Sequence, residues 1–200
     1  MKWLLGCLLI ASVGGLAAQT PSTPAQPPKG QMPDLGRNTQ QDDKVPLFDY
    51  DMYFLGKWTF EWDMPEGPLG PPGRTEGTTT YTGSDGKYEA VTEATGPNGP
   101  FTVRERIQYD KAQRTVLRDV VDSRGFKYSQ AGTIGGDLGG LYTIYFESKP
   151  FLLNGQSVRL KHVMRLTAPL AHRVSITVAE GDGPYRNYGT PWWRKAPPSQ

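Results

Sequence analysis

From Gly56 to the end of the chain, apolar residues recur at every second position in short runs, and turn-forming residues interrupt those runs at short, even intervals. The runs cover 57–62, 75–81, 87–94, 101–109, 115–121, 126–133, 141–147, 157–166, 172–179 and 185–194. Between them lie Ser84-Asp85-Gly86, Pro97-Asn98-Gly99, Ser123-Arg124-Gly125, Asn154-Gly155 and Gly181-Asp182-Gly183. Asn-Gly and Asp-Gly pairs accept the positive φ angles that tight hairpins require. A period of two places successive side chains on opposite faces of a strand. The pattern therefore predicts about ten antiparallel strands connected as a meander. No helical period intervenes, which argues against a parallel α/β sheet. An open sheet of ten strands would expose two long edges, and closure into a barrel removes them.

The best-patterned runs show the two faces of such a barrel. Val158, Leu160, His162, Met164 and Leu166 share one side, with Arg159, Lys161, Val163 and Arg165 on the other. Val174, Ile176 and Val178 likewise oppose Arg173, Ser175 and Thr177. An apolar inner face and a charged outer face fit a barrel in water. Run 101–109 is less decided: Glu105 has the parity of Phe101, Val103, Ile107 and Tyr109. Either Glu105 points inward, or the run is read with the wrong side inside, since a one-residue slip reverses every side chain.

The first 55 residues follow other rules. Met1-Lys2 followed by an apolar stretch and Gly15-Leu16-Ala17-Ala18 reads as a secretory signal peptide over 1–18, cleaved near Ala17 or Ala18. The sole cysteine, Cys7, falls inside it, so a mature chain would form no disulfide. Leu4-Leu5-Gly6-Cys7 also has the form of a lipobox, but the apolar segment follows the cysteine instead of preceding it. Residues 19–44 are rich in Pro, Gln and Thr with few apolar side chains, a composition that predicts a disordered linker. Over 46–55, PLFDYDMYFL has helical spacing, with Asp43 as the expected cap and Pro46 in the first turn. The barrel is expected over 45–196 and a short tail over 197–200. Losing Lys2 lowers the formal charge from +2 to +1, which offers no electrostatic case for nucleic acid as a partner. No later segment is apolar enough for a helical membrane span. The expected location is secreted or periplasmic.

The opening strand reads Phe54-Leu55-Gly56-Lys57-Trp58, and the closing one Pro191-Trp192-Trp193-Arg194-Lys195. Gly56-x-Trp58 resembles the Gly-x-Trp of calycins, the superfamily of lipocalins and fatty-acid-binding proteins. The resemblance implies a barrel closed by an arginine lying over that tryptophan, here Arg194 over Trp58, through cation–π attraction. The chain also resembles a bacterial calycin-like barrel family of unknown function. Besides the Leu55–Trp58 segment, Met64-Pro65-Glu66-Gly67-Pro68, Glu76-Gly77-Thr78-Thr79-Thr80, Tyr109-Asp110 and Trp193-Arg194-Lys195 carry that likeness in order. The loop 151–155 and the double tryptophan depart from its pattern. The fold class expected is thus all-β: one antiparallel meander barrel with one short N-terminal helix.

Aromatic and polar residues at inward positions are the candidate ligand-binding lining: Tyr88, Glu105, Tyr109, Arg118, Tyr128, Tyr142 and His162. Apolar rings with hydroxyl handles suit a small amphipathic molecule. Glu105, Arg118 and His162 together would make a polar cluster able to hold a carboxylate or move a proton. Barrels similar to nitrobindin hold haem through one inner histidine, so the resemblance implies His162 as the axial ligand if haem is held; the plainer expectation is no cofactor. His172, at a strand start, is expected at the rim. Gly135 to Gly140 lacks the lysine of a phosphate loop and reads as a hairpin tip. Two histidines on separate strands give no metal-ligand spacing. No catalytic residue stands out. The function expected is binding of a small apolar or amphipathic ligand; the alternatives are an envelope-associated interaction protein with a solid barrel, or an enzyme using Glu105, Arg118 and His162.

Overall fold

The computed structural model describes residues 44–197. The signal peptide, residues 19–43 of the linker with Asp43, and residues 198–200 lie outside the described residues. One helix, α1 (Tyr50–Phe54), precedes twelve strands: β1 (Gly56–Met64), β2 (Gly73–Ser84), β3 (Lys87–Gly96), β4 (Gly99–Asp110), β5 (Thr115–Asp122), β6 (Phe126–Gly136), β7 (Tyr142–Ser148), β8 (Phe151–Leu153), β9 (Gln156–Ala168), β10 (Ala171–Glu180), β11 (Arg186–Asn187) and β12 (Trp192–Lys195).

Antiparallel pairing runs β1 through β7, then β9, β10 and β12, and β12 returns to β1. Ten strands thus close a barrel, and β8 and β11 pair only with β9 and β10. Two details depart from the sequence pattern. Loop 151–155 contains the short strand β8, which folds Phe151 back over Tyr128 with ring centroids 4.9 Å apart. The final run is also not one strand. Gly189 adopts φ +97° and a Cβ there would lie 2.4 Å from Trp62 Nε1, while Pro191 has no N–H to give the ladder. The run therefore divides into β11 and β12, and the Trp62 indole donates to Tyr188 O across the break (3.1 Å).

The helix is shorter than its apolar spacing predicts. Pro46 to Phe48 is irregular, and Asp49, which accepts from Met52 N at 3.1 Å, caps α1. The segment plugs one end of the barrel. Phe48 packs edge-on against Tyr109 and Tyr142, and Tyr50 stacks on Tyr88 at 4.3 Å. The alternation of β9 and β10 is as expected: Val158, Leu160, Met164, Leu166, Val174, Ile176 and Val178 are all buried. Among the described residues no helix is long and apolar enough to cross a membrane.

Candidate functional site

Halfway along the barrel the apolar lining gives way to a polar layer. In β4 the inward side includes Glu105, so the ambiguous run has its charged residue inside. Arg118 on β5 stands directly opposite Gln130 on β6, and Phe146 on β7 opposite His162 on β9. Arg118 donates from Nε to Gln130 Oε1 (2.8 Å) and from Nη1 to Glu105 Oε2 (3.3 Å). Its Nη2 donates to Gln130 Oε1 and to His162 Nδ1. The guanidinium lies 4.3 Å over the Phe146 ring. Gly132 on β6 makes room for that ring: a Cβ there would sit 2.5 Å from Phe146 Cδ1. Glu105, Arg118 and His162 are each about nine-tenths buried, so the layer is a desolvated, hydrogen-bonded network.

Arginine has donors only. Nδ1 of His162 therefore accepts, and the neutral ring carries its proton on Nε2. Burial, aided by the Arg118 charge, holds the His162 pKa well below its ordinary value, so the imidazole stays neutral. Its Nε2–H faces a cavity.

That cavity measures about 120 Å³ and lies on the side of the layer away from the plug. Its walls include Phe60, Trp62, Phe101, Leu160, Val174 and Trp193, and its polar groups include Glu105, Arg118, Tyr128 and His162. At the far end, Arg124 donates to both Asp122 oxygens (2.9 and 2.7 Å) and to Leu69 O (3.2 Å), and it stacks 3.9 Å over Phe101. It thereby ties the β5–β6 turn to the proline-rich loop between β1 and β2. A pocket of this volume is smaller than the roughly 300–1,000 Å³ of sites for drug-sized molecules. It leaves no room for a haem. A metal-binding histidine also commonly donates from its other nitrogen to an acceptor, whereas His162 Nδ1 receives from a guanidinium.

The seven inward candidates thus separate. Glu105, Arg118, Tyr128 and His162 border the cavity. Tyr88, Tyr109 and Tyr142 lie at the plug instead: their hydroxyls donate to Asp51 Oδ1 (2.5 Å), Phe48 O (2.7 Å) and Pro46 O (3.2 Å). Burial, with the Asp51 hydrogen bond next, pushes the Tyr88 pKa up to about 12. Gln130 was not expected. Its signal was its parity with Tyr128 on the same strand, but only the β5–β6 register places it opposite Arg118.

Barrel closure also differs from the expectation. In the β1–β12 register Trp58 faces Lys195, and Arg194 faces Thr59 on the exposed side. Lys195 Nζ lies 5.5 Å from the Trp58 ring centre, while Arg194 sits 5.8 Å from Trp192. The cation over Trp58 is therefore Lys195, not Arg194. The Trp58 indole donates to Phe54 O at 2.7 Å, which anchors the plug. Of the double tryptophan, Trp193 turns toward the cavity and stacks on Phe60 (5.1 Å), and Trp192 lies outside under Arg173 (3.9 Å).

His172 is not at the surface. It is 2% exposed, packed 4.7 Å from Trp58 and stacked 5.5 Å from Trp193. Burial lowers its pKa to about 3. Between that value and the unfolded value near 6.5, the unfolded chain binds a proton that the fold does not, so stability falls as pH falls. From pH 7 to pH 5, His172 alone is expected to cost about 2 kcal/mol, and His162 acts in the same direction. Urea melts at the two pH values check this; equal midpoints would mean that both rings take up protons within the fold.

No family model and no curated protein matches the chain. Among solved structures it resembles the crystal structure of Rv2717c from M. tuberculosis, with a TM-score of 0.60 and 12% sequence identity over 72% of this chain and 93% of that one. The likeness is one of fold. A closed antiparallel barrel with a short helix is common to shape, not evidence of shared chemistry at so low an identity.

Proposed function

We propose that this is an exported carrier or sensor that holds one small amphipathic molecule in its barrel, in the manner of calycin-like proteins. The observation that carries the reading is the partly open cavity beside the Glu105–Arg118–Gln130–His162 layer. Apolar walls supply affinity, and a few convergent polar groups orient a head group. The cavity is partly open, which gives a tail a way outward. The lone pair of His162 Nδ1 is taken by Arg118, which also holds Oε2 of Glu105. Export rests on the signal-peptide pattern of residues 1–18.

Native mass spectrometry of the protein purified from its own host tests the reading. The expected spectrum shows a chain beginning near Gln19 with a small added mass that leaves on activation. A bare chain with no added mass after incubation with small amphipathic compounds would favour a solid-barrel interaction protein. A chain retaining residues 1–18 would remove the case for export.

A further inference from the structure

We infer that the ligand enters this cavity with a neutral hydrogen-bond acceptor, a carbonyl oxygen, directed at His162 Nε2–H, so that the ligand class is a small uncharged ketone, aldehyde, ester or amide and not an acid. This rests on the reading of the barrel as a small-molecule site. Three observations lead to it.

The first is the tautomer. Arg118 donates to Nδ1 of His162 and cannot accept. The nitrogen that faces the cavity therefore carries a hydrogen, and it has no hydrogen-bond partner among the described residues. The hydroxyls of Tyr81 and Tyr128 also border the cavity and donate to no described residue. Burial raises both hydroxyl pKa values, so both keep their protons at neutral pH. His162 Nε2–H and the two hydroxyls thus bring three unengaged donors to the cavity, beside one unengaged acceptor, the Oε1 of Glu105.

The second is charge. Each charged side chain of the lining is already paired: Arg118 with Glu105 at 3.3 Å, and Arg124 with Asp122 at 2.7 Å. A carboxylate inside would leave an uncompensated negative charge in a desolvated space, or would have to displace Glu105 and leave that carboxylate unpaired. A carbonyl meets the donors without either cost. The third is size. The volume is about 120 Å³, and an apolar cavity of roughly 150 Å³ is known to take benzene. The part that enters is a ring or short chain of comparable bulk.

The test uses protein labelled with ¹⁵N-histidine and three probes: cyclohexanone, methylcyclohexane and cyclohexanecarboxylate. In the unliganded protein the His162 ring is expected to show a protonated Nε2 and an unprotonated Nδ1. Cyclohexanone is expected to bind, shift the Nε2 resonance, and lose about tenfold in affinity in the His162→Leu variant, the loss of about one buried hydrogen bond. Methylcyclohexane should change less than about twofold between the two proteins, and cyclohexanecarboxylate should bind more weakly than cyclohexanone.

Tighter binding of the carboxylate would overturn the inference. So would a proton on Nδ1, a reading made on the unmodified protein and independent of how the variant folds. Binding of methylcyclohexane, with cyclohexanone unaffected by His162→Leu, would also overturn it while leaving the small-molecule reading in place. Failure of all three probes to bind would count against both.

Discussion

Replacing Arg118 by methionine is expected to destabilise the fold by about 3 to 5 kcal/mol, because it breaks a buried ion pair by removing one partner only. Methionine resembles the arginine stem in length and keeps an apolar contact over Phe146. The loss is therefore mainly electrostatic. Glu105 would remain an unpaired charge at 12% side-chain exposure, and Gln130 Oε1 and His162 Nδ1 would each lose a donor. Unfolding in urea measures the cost. Adding Glu105→Gln to the Arg118→Met chain is expected to recover more than half of it, since the double variant leaves no unpaired charge in this layer. That recovery is a coupling between neighbours and not a sum of independent effects. An Arg118→Met chain as stable as the parent would mean that water reaches Glu105 in solution.

Truncating Phe54 to alanine is expected to cost about 3 to 5 kcal/mol, the range for a large aromatic removed from a closed core. Phe54 is 2% exposed and stacks on Tyr50 at 4.5 Å, with Tyr81 at 5.4 Å and His172 at 5.6 Å. Its backbone carbonyl receives the Trp58 indole proton. Helix α1 has five residues, too few to hold itself together in water, so its order comes from this docking. Because plug and barrel share one core, the variant should melt in a single transition at a lower midpoint. Circular dichroism and tryptophan fluorescence followed together check it. Two separated transitions would show that the plug undocks by itself and that the barrel does not need it.

The two variants probe the polar layer itself and the plug packed beside it. Phe54 lies on the plug side, where the space beside Glu105 and Arg118 shrinks to about 10 Å³ between Tyr50, Tyr81 and Phe146. The larger cavity lies on the other side. An expected binding lining of seven residues thus divides because α1 fills one end. Tyr88, Tyr109 and Tyr142 spend their hydroxyls on that segment's backbone and on Asp51, and Tyr128 keeps its hydroxyl toward the cavity.

What the chain's own pattern determined is local. Alternation with a period of two, punctuated by Asp-Gly and Asn-Gly, was enough to place ten runs, to foresee a closed sheet, and to orient β9 and β10. A side chain's face in a strand depends only on its neighbours two positions away. What only the tertiary structure decided depends on register between segments far apart in sequence. Pairing of β12 with β1 put Lys195 rather than Arg194 beside Trp58. Pairing of β5 with β6 brought Gln130 to Arg118, and the meeting of β10 with β12 buried His172 among tryptophans. The last run broke because Gly189 had to pass the Trp62 indole. A strand's pattern says which side faces in, but a slip of one position along a partner strand changes every neighbour, and that choice is made by the packing of the whole barrel.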